Sequence, residues 1–419
     1  MFRPNLVASA LLCLLVLVCE SVFAGEKLDS IDLSQAIALT LDRHPDLKVF
    51  PVKRQSLNAQ RQTAALRPVM ELGVEAENFA GSFEDGRGEA EYTLSLSSSI
   101  ELGGKRDSRL ALIDARTGYV ESQREALTLN LLGELTQQFI LVVSTQEKIK
   151  LAEEAVFLAK TTFQTVKKRV AAGAASDADS LRANASLTEA RIRLQALKTN
   201  LNIEMIALAT FWGGVRVPEN VQGNLYRFSP IDDLESLYQR ILNNPALHIF
   251  ASEERVQEAE VQLARSQAKP DMRWQFGFRQ FTDNGDTGVV AGFSIPLSGA
   301  TRNRGVVQAA RAEQMEISLK KASTTIQLHS KLERAYLLRQ QAITTVEQYQ
   351  NSALPDLVLA MEQIRQAYEN GRYAYLEWLA VQEELLEAKQ ALIEAATQAQ
   401  LYGAVIEQLT GEKLTGEKL

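Results

Sequence analysis

The 419-residue chain is written twice. His44-Pro45-Asp46-Leu47-Lys48-Val49-Phe50 returns as Asn244-Pro245-Ala246-Leu247-His248-Ile249-Phe250. Ile100-Glu101-Leu102-Gly103 returns as Ile295-Pro296-Leu297-Ser298-Gly299, and Val170-Ala171-Ala172-Gly173 as Tyr368-Glu369-Asn370-Gly371. Leu181, Leu187, Glu189-Ala190 and Leu194 are matched by Leu379, Leu385, Glu387-Ala388 and Leu392. The offset stays near 200 throughout, and it preserves proline and glycine punctuation that two unrelated helical segments would not share. The expected organisation is a first repeat over 25–212, a linker over 213–232, a second repeat over 233–411 and a short tail over 412–419. Whatever each repeat builds must pack against a copy of itself.

The first residues read as an export signal. Arg3 precedes an apolar run from Leu6 to Val18, and Val22-Phe23-Ala24 supplies small side chains at a cleavage site. The run is shorter than the ~20 residues a spanning helix needs. Residues 1–24 are therefore expected to be removed, with Gly25 first in the exported chain. A lipoprotein signal using Cys19 is the alternative, although Val18 stands where a small residue is wanted. Both cysteines, Cys13 and Cys19, lie in this segment, so no disulfide framework is expected beyond it. No later stretch of 18 unbroken apolar residues suggests a second, helical anchor.

Each repeat carries the same succession of signals. An amphipathic helical stretch (Leu33 to Leu66, or Leu234 to Ala268) ends near Pro68 or Pro270; two strand-like segments and a very long helical region follow. Prolines are absent between Pro68 and Pro218, as unbroken helix requires when an internal proline costs about 3 kcal/mol. Apolar residues step by sevens through Leu135, Val142, Ile149, Val156, Phe163 and Val170, with Ala152, Ala159 and Val166 in the neighbouring seam. The series restarts after Gly173 as Leu187, Leu194, Leu201 and Leu208. The second repeat gives Leu354, Met361, Tyr368, then Leu385, Leu392, Ala399 and Ile406. Sevenfold spacing sustained this far predicts coiled-coil hairpins. Gly173 and Gly371 mark their turns, and Pro355 should interrupt the second long helix.

Four segments alternate with period two. Leu72, Val74 and Ala76 alternate with Glu71, Gly73, Glu75 and Glu77; Tyr92, Leu94, Leu96, Ser98, Ile100 and Leu102 alternate with Thr93, Ser95, Ser97, Ser99 and Glu101. Met272, Trp274, Phe276 and Phe278 alternate with Arg273, Gln275, Gly277 and Arg279, and Val289, Ala291, Phe293, Ile295 and Leu297 complete the set. Strands of about 9–11 residues suit a tilted membrane crossing. The polar linkers Ala80–Glu91 and Thr282–Gly288 suit hairpin loops. Ordinary half-buried hairpins give the same pattern, but no globular segment remains to cover their apolar faces. Strand pairs at about 70–102 and 271–297 are therefore expected to enter a membrane. Four strands cannot close, and lipid tolerates no open edge. Three chains would pool twelve strands, an even number within the range of outer-membrane barrels. The fold class expected is mainly α with membrane β: duplicated long α-hairpins, four transmembrane strands per chain, and a trimeric α/β-barrel.

Composition narrows the chemistry. With 45 Lys+Arg against 52 Asp+Glu, the net charge of −7 provides no footprint for nucleic acid. His44, His248 and His329 are scattered without metal-ligand spacing, so no metal site is expected. Gly103-Gly104-Lys105 lacks the first glycine and the Ser/Thr of a phosphate loop. No nucleophile–base pair stands out; neither catalysis nor a cofactor is expected. Asn184-Ala185-Ser186 is a glycosylation sequon in form only, and the repeated Thr-Gly-Glu-Lys-Leu at the end carries no assigned role.

Over its whole exported length the chain resembles the outer-membrane efflux protein family of TolC-like ducts, and within it the CzcC-type heavy-metal branch. The residues concerned are Arg169-Val170-Ala171-Ala172-Gly173 with Ala367-Tyr368-Glu369-Asn370-Gly371, and Tyr375-Leu376-Glu377. The Leu181–Arg191 and Leu379–Lys389 runs and Ile295-Pro296-Leu297-Ser298-Gly299 complete the resemblance. It implies a homotrimer in the outer membrane of a Gram-negative cell, with outer-membrane lipid around its strands and a periplasmic α-barrel. The linker would fall in an equatorial belt. It also implies docking through the hairpin tips to a periplasmic adaptor and an inner-membrane transporter of the RND type. Glu377 matches the first acidic position that the family places after the second turn, whereas Ala380 departs from the next. Glu377 and Asp179, with Asp177 beside it, are then candidates for a cation-favouring aperture; solvated turn charges are the alternative reading. Gly173 and Gly371 are expected C-caps, and Arg372 and Tyr373 sit where an adaptor could touch. Cargo is left between heavy-metal cations, drugs and type I secreted polypeptides. A pore-free periplasmic adaptor or scaffold is the rival from another class.

Overall fold

Proline and capping side chains divide the chain before any packing begins. The computed structural model describes residues 30–78, 90–214, 217–230, 232–297 and 303–411. The signal segment with Cys13, Cys19 and Gly25, nearly all of the 80–91 loop, Ser298-Gly299 and the tail lie outside these. A two-residue strand β1 (Ser30–Ile31) precedes α1 (Leu33–Arg43) and α2 (Pro45–Ala64). Strands β2 (Glu71–Glu77) and β3 (Glu91–Ile100) lead to α3 (Lys105–Ala171) and α4 (Asp177–Thr210). After β4 (Asn220–Val221) the succession repeats as α5 (Leu234–Ile241), α6 (Pro245–Gln267), β5 (Met272–Phe281) and β6 (Thr287–Ser294). It closes with α7 (Arg304–Gln348), a π turn (Tyr349–Ala353), α8 (Leu354–Glu369) and α9 (Tyr375–Thr410).

The single helical stretch expected at the start of each repeat is two helices. His44 takes an extended conformation, φ −58° and ψ 124°, because the residue before a proline is forced out of the helical region. Asn244 does the same before Pro245 and caps α6 by accepting from the Ala246 N–H at 2.7 Å. The strands also end earlier than the alternation suggested. Leu102, Ile295 and Leu297 lie beyond the ladders, since pairing rather than hydropathy decides where a strand stops.

Helix α3 runs unbroken for 67 residues, about 100 Å at 1.5 Å per residue. One window within it has a mean hydropathy high enough for a membrane span, but it is not an unbroken apolar run and half of it is buried inside the protein. Leu135, Phe139 and Val142 are among its fully buried side chains. It is a core helix by packing. The expected interruption at Pro355 takes the form of the π turn, whose Leu354 N–H reaches back to the Tyr349 carbonyl. Proline lacks the N–H that would continue the regular ladder, and one extra residue in the turn absorbs the defect.

The chain divides into two units, each drawing on both repeats. One comprises Met1–Pro45, Thr128–Gln239 and Ser330–Leu419; the other comprises Asp46–Leu127 and Arg240–His329. In the first, Ile31, Leu33 and Ile37 pack with Leu135, Phe139, Leu208, Trp212, Leu225 and Ile393. Parallel pairing of Ser30 with Asn220 and Ile31 with Val221 ties the N-terminal segment to the linker. The linker is held by buried donors: Gln400 gives N–H bonds to the Leu225 and Arg227 carbonyls at 3.1 and 2.8 Å, and Arg339 to Ser229 at 2.9 Å. In the part of α3 nearer its tip the buried seam is Ala152, Ala159 and Val166, whereas the larger Ile149, Val156 and Phe163 are half-buried. Small side chains let helices approach closely and leave the larger ones along the seam's flanks.

Burial, with a lesser contribution from Glu147, pushes the Tyr226 phenol in this linker up to about 12. An unfolded tyrosine ionises near 10. The folded chain therefore keeps a proton that the unfolded chain loses, so stability is intact below pH 10 and falls as pH rises toward 12. Melting temperatures across that interval should decline less steeply in Tyr226→Phe than in the wild type. Parallel declines would remove Tyr226 as the cause.

Candidate functional site

The second unit holds the four-stranded sheet. Its order is β2-β3-β5-β6, antiparallel throughout. Register places Leu72, Leu96, Phe276 and Ala291 on one rung, and Val74, Leu94, Phe278 and Val289 on the next. This face is apolar and open: Leu72 is 73% exposed, Val74 77% and Phe293 79%. The opposite face is polar and internally paired. Arg279 reaches across three strands, with Glu91 at 2.6 Å, Glu77 at 3.1 Å and the Thr93 hydroxyl at 3.0 Å. Glu77 and Glu91 oppose one another in register, so Arg279 offsets their repulsion. The outer edges of β2 and β6 have no partner among the described residues.

The first unit holds both hairpin tips. Helix α3 ends with Gly173 at φ +72°, its N–H bonded to the Val170 carbonyl, and with the Ala174 N–H bonded to Arg169. Gly371, at φ +75°, repeats this with Tyr368, and Arg372 with Ala367. Both are Schellman caps, as the glycines led one to expect. Each return helix then opens with an acidic side chain at its third position. The Asp179 carboxylate accepts from the Ser176 N–H at 3.3 Å and its hydroxyl at 2.8 Å; Glu377 accepts from the Ala374 N–H at 2.8 Å. The two are equivalent under the duplication, and both complete a helix start. Asp179 is half-buried, while Glu377, Asp177 and the tip residues Arg372 and Tyr373 are exposed. Capping uses one Glu377 oxygen and leaves the other toward solvent.

The tips are joined by residues that sequence reasoning missed. Arg169 lies over the Tyr368 ring, 4.5 Å from its centroid, and donates to the Tyr368 and Ala174 carbonyls. Tyr368 packs on Trp378 with ring centroids 5.0 Å apart, and Tyr375 is buried in the same cluster with Val166, Ala183 and Met361. Burial first, and then the charge of Asp179, push both the Tyr368 and Tyr375 phenols upward; Arg169 opposes this at Tyr368. One signal was legible. The duplication pairs Arg169-Val170 with Ala367-Tyr368, so the cation of one hairpin and the ring of the other occupy positions where the repeats differ. No group of three or more potential metal ligands occurs among the described residues.

Comparison with known proteins follows the duplication. The profile of the outer membrane efflux protein family matches twice, over residues 36–214 and 237–412. The cobalt-zinc-cadmium resistance protein CzcC of Cupriavidus metallidurans is 24% identical over 392 residues, 93% of this chain and 92% of that one. The nickel-cobalt-cadmium resistance protein NccC of Alcaligenes xylosoxydans is 22% identical over 300 residues, 71% of this chain and 67% of its own. The crystal structure of CusC superposes with a TM-score of 0.72 at 16% identity, covering 93% of this chain and 95% of that one.

Proposed function

The chain belongs to the outer membrane efflux protein family, and from that premise we propose that three copies form a continuous duct for heavy-metal cations. An efflux channel of the outer membrane with a large periplasmic portion is a passive conduit and not an enzyme. Beyond this, each copy contributes two strand pairs to a shared barrel and two helical hairpins to a shared periplasmic tube. The observation that supports the reading is the sheet, whose apolar face is exposed and whose two edge strands have no partner among the described residues. Neighbouring copies, one at each edge, would satisfy both, and closure into a ring would leave no edge open. The helices point the same way. Leu181, Ile192 and Ile203 recur every eleven residues along α4 and are 60–72% exposed, a stripe suited to a neighbouring helix.

Energy for transport must then come from an inner-membrane pump of the RND type, coupled through a periplasmic adaptor that touches the tips near Arg372 and Tyr373. Cargo is assigned by relatedness: CzcC and NccC are both metal-resistance proteins. A deletion strain should lose tolerance to cobalt, zinc, cadmium or nickel while keeping its tolerance to drugs. The opposite pattern would overturn the cargo. The pore-free adaptor reading predicts no conductance at all, which a planar bilayer tests directly.

At the narrow end, Glu377 from three copies would form a carboxylate ring attracting cations, with Asp179 subordinate because it is half-buried and committed to its cap. Glu377→Gln keeps an acceptor for the Ala374 N–H while removing the charge. Its cation-over-anion selectivity should fall about threefold, a fraction of the 1 kcal/mol scale of a solvated charge interaction. Unchanged reversal potentials would return Glu377 to a purely structural role.

A further inference from the structure

The ends of the sheet differ in charge. At the helix side, Leu66, Val69 and Met70 precede β2 with exposures of 65%, 74% and 62%, and Leu297 follows β6 almost fully exposed. Set among them are four exposed cations, Arg67, Arg106, Lys269 and Arg304, none ion-paired among the described residues. Their neighbours Lys105 and Arg109 are already engaged, with Asp271 at 2.7 Å and Glu101 at 2.5 Å. Asp107 and Glu71 are exposed carboxylates beside them, and Glu71 lies 3.5 Å from Arg273. Among the described residues at the loop side, Glu77, Glu91, Asp283 and Asp286 accompany Arg279, which is bound to the first two.

Two features hold the collar in place. The Arg106 Nε donates to the Ala65 carbonyl at 2.7 Å, satisfying the frayed end of α2 and leaving its remaining N–H groups available. Gly103 is left-handed at φ +85°, and a side chain there would meet the Lys269 methylenes at 2.3–3.0 Å. The Lys269 stem therefore lies across bare backbone, and its ammonium remains exposed.

We propose that this collar binds the phosphate headgroups of anionic phospholipids in the periplasmic leaflet of the outer membrane. The inference rests on the strands of the preceding section spanning that membrane. Cations interleaved with exposed Leu66, Val69 and Met70 at the margin of an apolar band match a lipid's own order, charged head beside acyl chain. A soluble anion would engage the charges and leave those apolar side chains in water.

The test uses the full-length protein in phosphatidylcholine vesicles carrying acyl-brominated phosphatidylcholine or phosphatidylglycerol at equal mole fraction. Trp274 lies on the apolar face near this end of β5, while Trp212 and Trp378 are buried at 2%, so quenching reports Trp274. Both lipids should quench, and phosphatidylglycerol should be enriched about fivefold, the scale of one engaged basic side chain at an anionic surface. The R67Q/K269Q/R304Q variant should quench equally with either lipid, as should the wild type in high salt. Equal quenching in the low-salt wild type, or a preference surviving in the variant, overturns the collar and leaves the membrane reading standing. No quenching by either lipid overturns both.

Discussion

Gly277→Val should abolish the four-stranded sheet, and Gly292→Val should leave it intact. Both glycines lie on the polar face, Gly277 opposite Ser95 and Gly292 opposite Gln275. At Gly277 a Cβ would stand 2.5 Å from the Leu94 carbonyl oxygen and 2.9 Å from the Ser95 Cα, whereas at Gly292 it meets nothing within 4 Å. Overpacking typically costs 1–3 kcal/mol when side chains can shift. Here the obstacle is backbone in the adjacent strand, so relief requires giving up ladder bonds between β3 and β5. The two strands come from different repeats, and their pairing is what makes one sheet of two hairpins. The expected outcome is loss of the β-sheet signal in the far-UV circular dichroism of refolded Gly277→Val, with wild-type behaviour for Gly292→Val. Equal recovery of folded material from both variants would show that the close approach is not required.

Arg169→Ala should free the second hairpin tip while leaving the rest of the chain folded. The side chain supplies a cation–π contact of up to about 2 kcal/mol where desolvated and hydrogen bonds from a charged donor of about 1.5–3 kcal/mol. Removing it also strips the Tyr368 carbonyl of the guanidinium bond that ties it to the first hairpin. Arg169 is half-buried, so the net loss falls toward the low end, about 2 kcal/mol, and local opening should rise roughly thirtyfold. Trypsin offers a direct readout because Arg372 stands in the exposed turn. Cleavage there should accelerate by that factor, with a global melting shift of only a few degrees. Tyr368→Phe supplies the contrast. It keeps the ring beneath the guanidinium and deletes a hydroxyl that has no hydrogen-bond partner among the described residues, so cleavage should barely change. If Arg169→Ala resists trypsin as the wild type does, the clasp contributes nothing to holding the tips.

What could be read from the residues alone was whatever leaves a local or periodic trace. Heptad spacing and the absence of proline predicted a very long unbroken helix running up to the turn at Gly173, as α3 does. Period-two alternation identified the four strands and which side chains share a face, because a strand exposes successive residues on opposite sides. Gly173 and Gly371 were recognisable as turns because few other residues enter the left-handed region. The breaks at His44 and Asn244 were equally local, since each precedes a proline, and they went unread because the hydropathy pattern continues across them.

The remainder depended on contacts between residues about 200 positions apart. Pairing of β3 with β5, the reach of Arg169 to Tyr368 and the packing of Val166 with Met361, Tyr368 and Trp378 all join one repeat to the other. Nothing near Arg169 in the chain distinguishes it from a solvated cation at a helix end. Only folding places an aromatic ring beneath it. Duplication determined that two hairpins and two strand pairs would exist; tertiary packing decided how they meet, because the energy of a meeting belongs to the pair and leaves no mark on either segment alone.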